Sequence, residues 1–115
     1  MAKITVADAI RTFAVLSRAP GATPGPLAAI RLARLRLALL PEVRAFEVAR
    51  DAVLVPAGLK HVNPTSEQAA QMQPLLAPLL LMEFEYSGPM TEETDWTVFP
   101  DLTQEEAAFL LPFIR

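Results

Sequence analysis

Few side chains in this 115-residue sequence could do chemistry, and their spacing narrows the choice further. His61 is the only histidine, cysteine is absent, and no Ser sits beside His61, so neither a nucleophilic triad nor a His- or Cys-based metal site can be assembled from the sequence. Glu92, Glu93 and Asp95 form an acidic cluster. It lacks the glycine and the regular ligand spacing of a calcium loop, so it reads as a solvated acidic turn. Glu83 and Glu85 are two residues apart in an alternating stretch, which puts both carboxylates on one face of a strand. Acid–base work would need a pocket that raises one of their pKa values, and nothing in the sequence builds one. The four glycines are scattered, which excludes a phosphate-cradling loop. Arg31, Arg34, Arg36 and Arg44 point in several directions around one helix, whereas a nucleic-acid footprint would gather them on one face. The expectation is a non-enzymatic chain with no cofactor and no bound metal.

The element that carries those arginines organises the chain. From Leu27 to Leu54, counted at about 100° per residue, Ala28, Leu32, Leu35, Leu39, Val43, Phe46, Ala49 and Val53 share one stripe. Ile30, Leu37 and Val48 form a second ridge, so neighbours are expected on both sides of the helix. Pro41 removes one backbone hydrogen bond and crowds the Leu37 carbonyl, but the stripe stays in phase across it, which predicts a kinked, continuous helix over 27–54. Before it, Thr5 with Asp8 caps a first helix over 5–18, with Ile10, Phe13 and Leu16 as its buried face. Three prolines and two glycines within residues 20–26 then make a stiff connector, so the two helices should form an antiparallel hairpin.

Thr65 with Gln68 caps a third helix over 65–80, which Pro74 and Pro78 either end near Gln73 or make irregular. Met82 to Tyr86 alternates apolar and acidic residues, and Trp96 to Phe99 is the natural second strand, giving a small β-hairpin over 81–99. Thr103 with Glu106 caps a C-terminal helix over 103–114. The expected fold is mostly α with a minor β component, in a single domain over 1–115: an antiparallel helical hairpin with a long kinked central helix, a small β-hairpin and a C-terminal helix.

Apolar residues are 52 % and charged residues 20 % of the chain, a globular balance. The opening residues lack the apolar run of a signal peptide, and the most apolar run, Leu75 to Met82, is too short to span a bilayer. No membrane association is expected. The net charge of −3 conceals an asymmetry. Residues 1–62 carry nine Lys/Arg and four Asp/Glu, a balance of +5; residues 63–115 carry one Arg and nine Asp/Glu, a balance of −8. Either the acidic half folds back on the basic half, or the molecule is polar and uses its two ends to stack or to bind charged partners.

Three features in order carry a family resemblance: the short capped helix with its Pro/Gly loop, the Ala-Phe-Glu-x-Ala-Arg segment from Ala45 to Arg50, and the closing Leu-Thr…Leu-x-Pro-Phe-Ile segment from Leu102 to Ile114. Together they resemble a family of small bacteriophage and prophage proteins of unknown function, from which Pro41, Pro74 and Pro78 depart. The resemblance implies a viral context, in the host cytoplasm or the virion: a small virion or assembly component that binds viral or host proteins or copies of itself. The alternative is an inhibitor of a host enzyme such as a polymerase or a defence nuclease. A DNA-binding regulator ranks lower still. Phe84, Trp96, Phe109, Phe113 and Ile114 are the candidate interface anchors, and for each taken singly the core is the favoured place.

Overall fold

The computed structural model describes residues 2–115. The element order is β1 (Ala2–Thr5), α1 (Val6–Leu16), α2 (Pro26–Leu54), α3 (Ser66–Leu80), β2 (Glu83–Tyr86), a 3-10 segment (Glu93–Val98), α4 (Gln104–Leu110) and a short 3-10 turn (Leu111–Phe113). The fold is mostly α, with one two-stranded antiparallel sheet and a long central helix.

Local signals in the sequence set the helix starts. The Thr5 hydroxyl accepts from the Asp8 backbone N–H, and Thr65 with Gln68 and Thr103 with Glu106 form reciprocal capping boxes. Pro26 opens α2 at a position where its missing N–H costs nothing. α2 then runs unbroken through Pro41, and α3 runs unbroken through Pro74 and Pro78. All three prolines are solvent-exposed, so the carbonyls they strip of a partner lie on the wet side of each helix. α2 ends in a Schellman turn: Gly58 takes φ +73, its N–H donates to the Val55 carbonyl, and the Leu59 N–H reaches back to the Leu54 carbonyl. The Leu54 and Leu59 side chains meet beneath that turn.

The β-hairpin expected over 81–99 does not form. β2 pairs instead with β1, in the register Ala2↔Tyr86, Lys3↔Glu85, Ile4↔Phe84 and Thr5↔Glu83. Trp96 to Val98 lies in the 3-10 segment, because Asp95 caps the Glu92 backbone and turns the chain there. Alternation in the sequence identified β2 correctly; its partner is the N-terminal segment, whose four residues are too few to show a period. The C-terminal helix is also shorter than expected, since Pro112 cannot extend α4 and the chain tightens into a 3-10 turn.

Two cores form along α2. The larger gathers Ile4, Ala9, Val15, Leu32, Leu35, Leu39, Tyr86, Trp96, Val98, Phe99, Leu110 and Phe113 around the N-terminal half of α2. On α1 the fully buried positions are Ala9, Thr12 and Val15, one residue before the expected face of Ile10, Phe13 and Leu16, which is only partly buried. α1 is covered by α2, α3, α4 and β1 together, so its small residues sit deepest. The smaller core, Leu54, Leu59 and Met72, joins the C-terminal half of α2 to α3. The whole measures 46 × 29 × 22 Å, with α2 as the long element. No helix among the described residues is long and apolar enough to cross a membrane.

Candidate interaction surfaces

In the acidic cluster, too, the structure corrects the sequence reading. Asp95 is only 1 % exposed, and Arg31 grips it with two hydrogen bonds of 2.7 Å each. Asp95 Oδ2, which accepts from Arg31 Nε, also accepts the Glu92 backbone N–H at 2.8 Å. The guanidinium holds the Asp95 carboxyl below its ordinary range, helped by the Glu92 N–H and opposed by burial. Beside it, Trp96 Nε1 donates to Thr91 Oγ1, which donates to the Phe113 carbonyl, and the backbones of Thr91, Phe113 and Arg115 are also linked. These residues form a buried polar knot that ties the C-terminus to α2. No group of three or more metal-ligating side chains occurs among the described residues.

Four of the five arginines of α2, those singled out from the sequence, have four different surroundings. Arg31 is locked to Asp95, Arg36 lies 4.9 Å over the Phe13 ring, Arg44 pairs with Glu47 at 3.7 Å, and Arg34 is exposed with no ion-pair partner among the described residues. Arg18 also reaches across the molecule to Glu106, whose carboxyl it holds down. Two basic-to-acidic pairs, Arg31–Asp95 and Arg18–Glu106, therefore join the two halves of the chain. Glu83 and Glu85 stand exposed on the outer face of the sheet, and His61 lies half-exposed with Nδ1 3.6 Å from Asp51. Burial pushes the Tyr86 phenol up to about 12, and its hydroxyl donates to the Pro89 carbonyl.

The expected anchors are drawn into the body. Trp96 and Phe113 are buried, Phe113 at 0 % exposure, and Phe84, Phe109 and Ile114 are half-buried against the same core. Tyr86 meets Phe113 edge to face at 5.1 Å. Of the two places considered for them, Trp96 and Phe113 take the core, because the polar knot and the bend at Asp95 turn them inward.

The exposed apolar residues lie elsewhere, and two surfaces stand out. The first is the second ridge of α2. Ile30, Leu37 (64 % exposed) and Val48 (72 %) are bare, as are Leu27 before them and Val55 after them. The expectation that neighbours cover both sides of α2 is therefore wrong: β1, α1, α3 and the C-terminal elements all pack on the Leu32–Leu35–Leu39–Val43 side or around it. The second is a groove of about 620 Å³ along α3, lined by Pro64, Ala69, Met72, Gln73, Pro74, Leu76, Ala77 and Leu80. No charged side chain among the described residues lines it. The groove was missed from the sequence because Pro74 and Pro78 marked α3 as broken, whereas an unbroken helix aligns Ala69, Met72, Leu76 and Leu80 on one face.

The chain matches no protein-family model, no curated protein and no solved structure.

Proposed function

We propose that this chain is a non-enzymatic protein-binding module whose groove along α3 receives an apolar segment of a partner protein. The observation that carries the reading is the α3 groove, a concave, uncharged, helix-long channel beside the smallest core of the molecule. Such a channel suits the apolar face of a helix, which would fill it with residues one turn apart. The loose resemblance to small phage proteins is the ground for placing that partner in a virion or its assembly, in the host cytoplasm or the particle itself. An inhibitor of a host enzyme is the second reading, and the −8 balance of residues 63–115 favours it, since most of those carboxylates remain on the surface.

A photo-crosslinking residue at Gln73, in the groove, compared with one at Thr97, exposed and outside it, tests the proposal in the cells that make the protein. A discrete protein adduct is expected at Gln73, lost when Leu76→Asp is added, with none at Thr97. Equal labelling at both positions, or no adduct at Gln73, would overturn it.

A further inference from the structure

The bare ridge of α2 is a heptad seam whose charges and apolar residues complement a second copy of itself. Its positions are Leu27, Ile30, Arg34, Leu37, Pro41, Arg44, Val48, Asp51 and Val55, which alternate by three and four residues along the solvent side. That is the spacing of the contact positions in a two-stranded coiled coil. A parallel pairing in register would set Arg34, Arg44 and Asp51 each against its own copy, three like-charge layers. Among antiparallel pairings, the one centred near Leu39 sets Arg34 against Arg44 and Leu27 against Asp51.

Shifting the centre to between Glu42 and Val43 changes every layer. Ile30 then faces Val55 of the second copy, Leu37 faces its Val48, and Arg34 faces its Asp51. Pro41 faces its Arg44, which already has Glu47 on its own helix at 3.7 Å. Outside the Pro41–Arg44 layers apolar residues meet apolar residues, and the exposed guanidinium of Arg34 meets a carboxylate. Asp51 is 53 % exposed and already has Arg50 Nε at 3.2 Å and His61 Nδ1 at 3.6 Å, so Arg34 would join a cluster whose acid remains accessible. Along one flank of the seam Ala38, Ala45 and Ala52 recur every seven residues, which lets the two helices approach closely. At the seam's end, Val55 of the other copy would meet the apolar side of a hollow of about 320 Å³ in which Leu27, Ile30, Pro89 and Met90 stand beside Arg31, Arg34 and Arg115.

We infer that the chain self-associates as an antiparallel two-fold dimer through this face of α2, in the register that pairs Leu37 with Val48 and Arg34 with Asp51. The inference rests on the protein-binding reading only in treating bare apolar surface as contact surface, and it uses a different face from the α3 groove. The seam from Ile30 to Val55 is roughly 39 Å long at 1.5 Å per residue. A strip of that length and one helix width falls at the small end of specific interfaces, so the dimer should be of micromolar strength and exchange readily.

Sedimentation equilibrium of the whole chain from about 1 μM to about 1 mM is the test. A monomer–dimer equilibrium is expected in that range. Leu37→Glu should weaken it by at least about tenfold, as should Arg34→Glu, while Arg34→Glu with Asp51→Arg should recover most of the loss. Circular dichroism checks that each variant keeps its helix content. Because the chain has no cysteine, disulfide trapping reads the register directly. A mixture of Leu37→Cys and Val48→Cys chains should give the mixed dimer in excess over either self-dimer. A wild-type chain that stays monomeric, a dimer indifferent to Leu37→Glu, a charge swap without recovery, or dominant Leu37→Cys self-dimers would each overturn the inference. The Gln73 adduct reports separately: its survival in the Leu37→Glu variant leaves the groove reading standing whatever the dimer does, and its loss from a wild-type dimer strikes the groove alone.

Discussion

The two halves of α2 serve unlike neighbourhoods. Around its N-terminal half, nine buried residues drawn from β1, α1, β2 and the C-terminal elements close over Leu32, Leu35 and Leu39, and the polar knot at Asp95 pins them. Around its C-terminal half, three buried residues hold α3 in place, with no ion pair between the two helices among the described residues. A helix of α3's length is marginal alone in water and depends on tertiary packing. The body should therefore unfold as one unit, while α3 with its connecting turn should open more easily and on its own. The region with the least holding it is also the region with the apolar groove. That is the expected arrangement for a surface that adapts to a partner, since segments that adjust on binding come from the less stable parts of a fold.

The contrast is most sharply tested at Asp95. Replacing it with Ala leaves Arg31 facing a buried space and frees the turn at Glu92, and should cost the body about 2–4 kcal/mol in denaturant unfolding. The same residue sets a pH dependence. Its carboxyl lies below its ordinary value in the folded state, so its contribution is complete above the unfolded value, about pH 4, and is lost as pH falls through the folded value. Thermal melts from pH 5 down to pH 2 should fall more steeply for the wild type than for Asp95→Asn. Parallel slopes would show that Arg31 does not stabilise the ionised form.

On the other side, Gly58→Ala places a Cβ at φ +73 in the turn that ends α2, and should cost about 1 kcal/mol. If the two regions are separable, amide exchange should quicken in α3 and the Leu54–Leu59 turn and stay unchanged around Leu35 and Phe113. Uniform acceleration would mean a single cooperative unit and would erase the contrast. An effect of similar size but opposite sign is expected within the body. The Thr12 hydroxyl is buried and has no hydrogen-bond partner among the described residues, so Thr12→Val, which keeps the shape and removes the orphaned group, should raise stability by about 1 kcal/mol and shift the melting temperature upward. A fall would mean that the hydroxyl does bond, to the carbonyl one turn earlier.

Much of this molecule was written locally. Thr5, Thr65 and Thr103 mark their helices because a cap acts on a backbone N–H three residues away, and the Leu32–Leu35–Leu39–Val43 stripe marks the covered side of α2 because apolar burial follows the helical period. The alternation of Met82 to Tyr86 announced a strand for the same reason. The sequence could not choose that strand's partner: β1 lies about eighty positions away, and no local pattern ranks it above Trp96 to Phe99. Nor could it tell that the second ridge of α2 would be left bare, or that Asp95 would be withdrawn from its acidic neighbours to meet Arg31, sixty-four residues earlier. Capping, period and alternation are short-range and can be read along the chain. Which face is buried and which charge finds a partner depend on segments that meet only once the whole chain has folded, and those meetings left Leu37 and Val48 in the open.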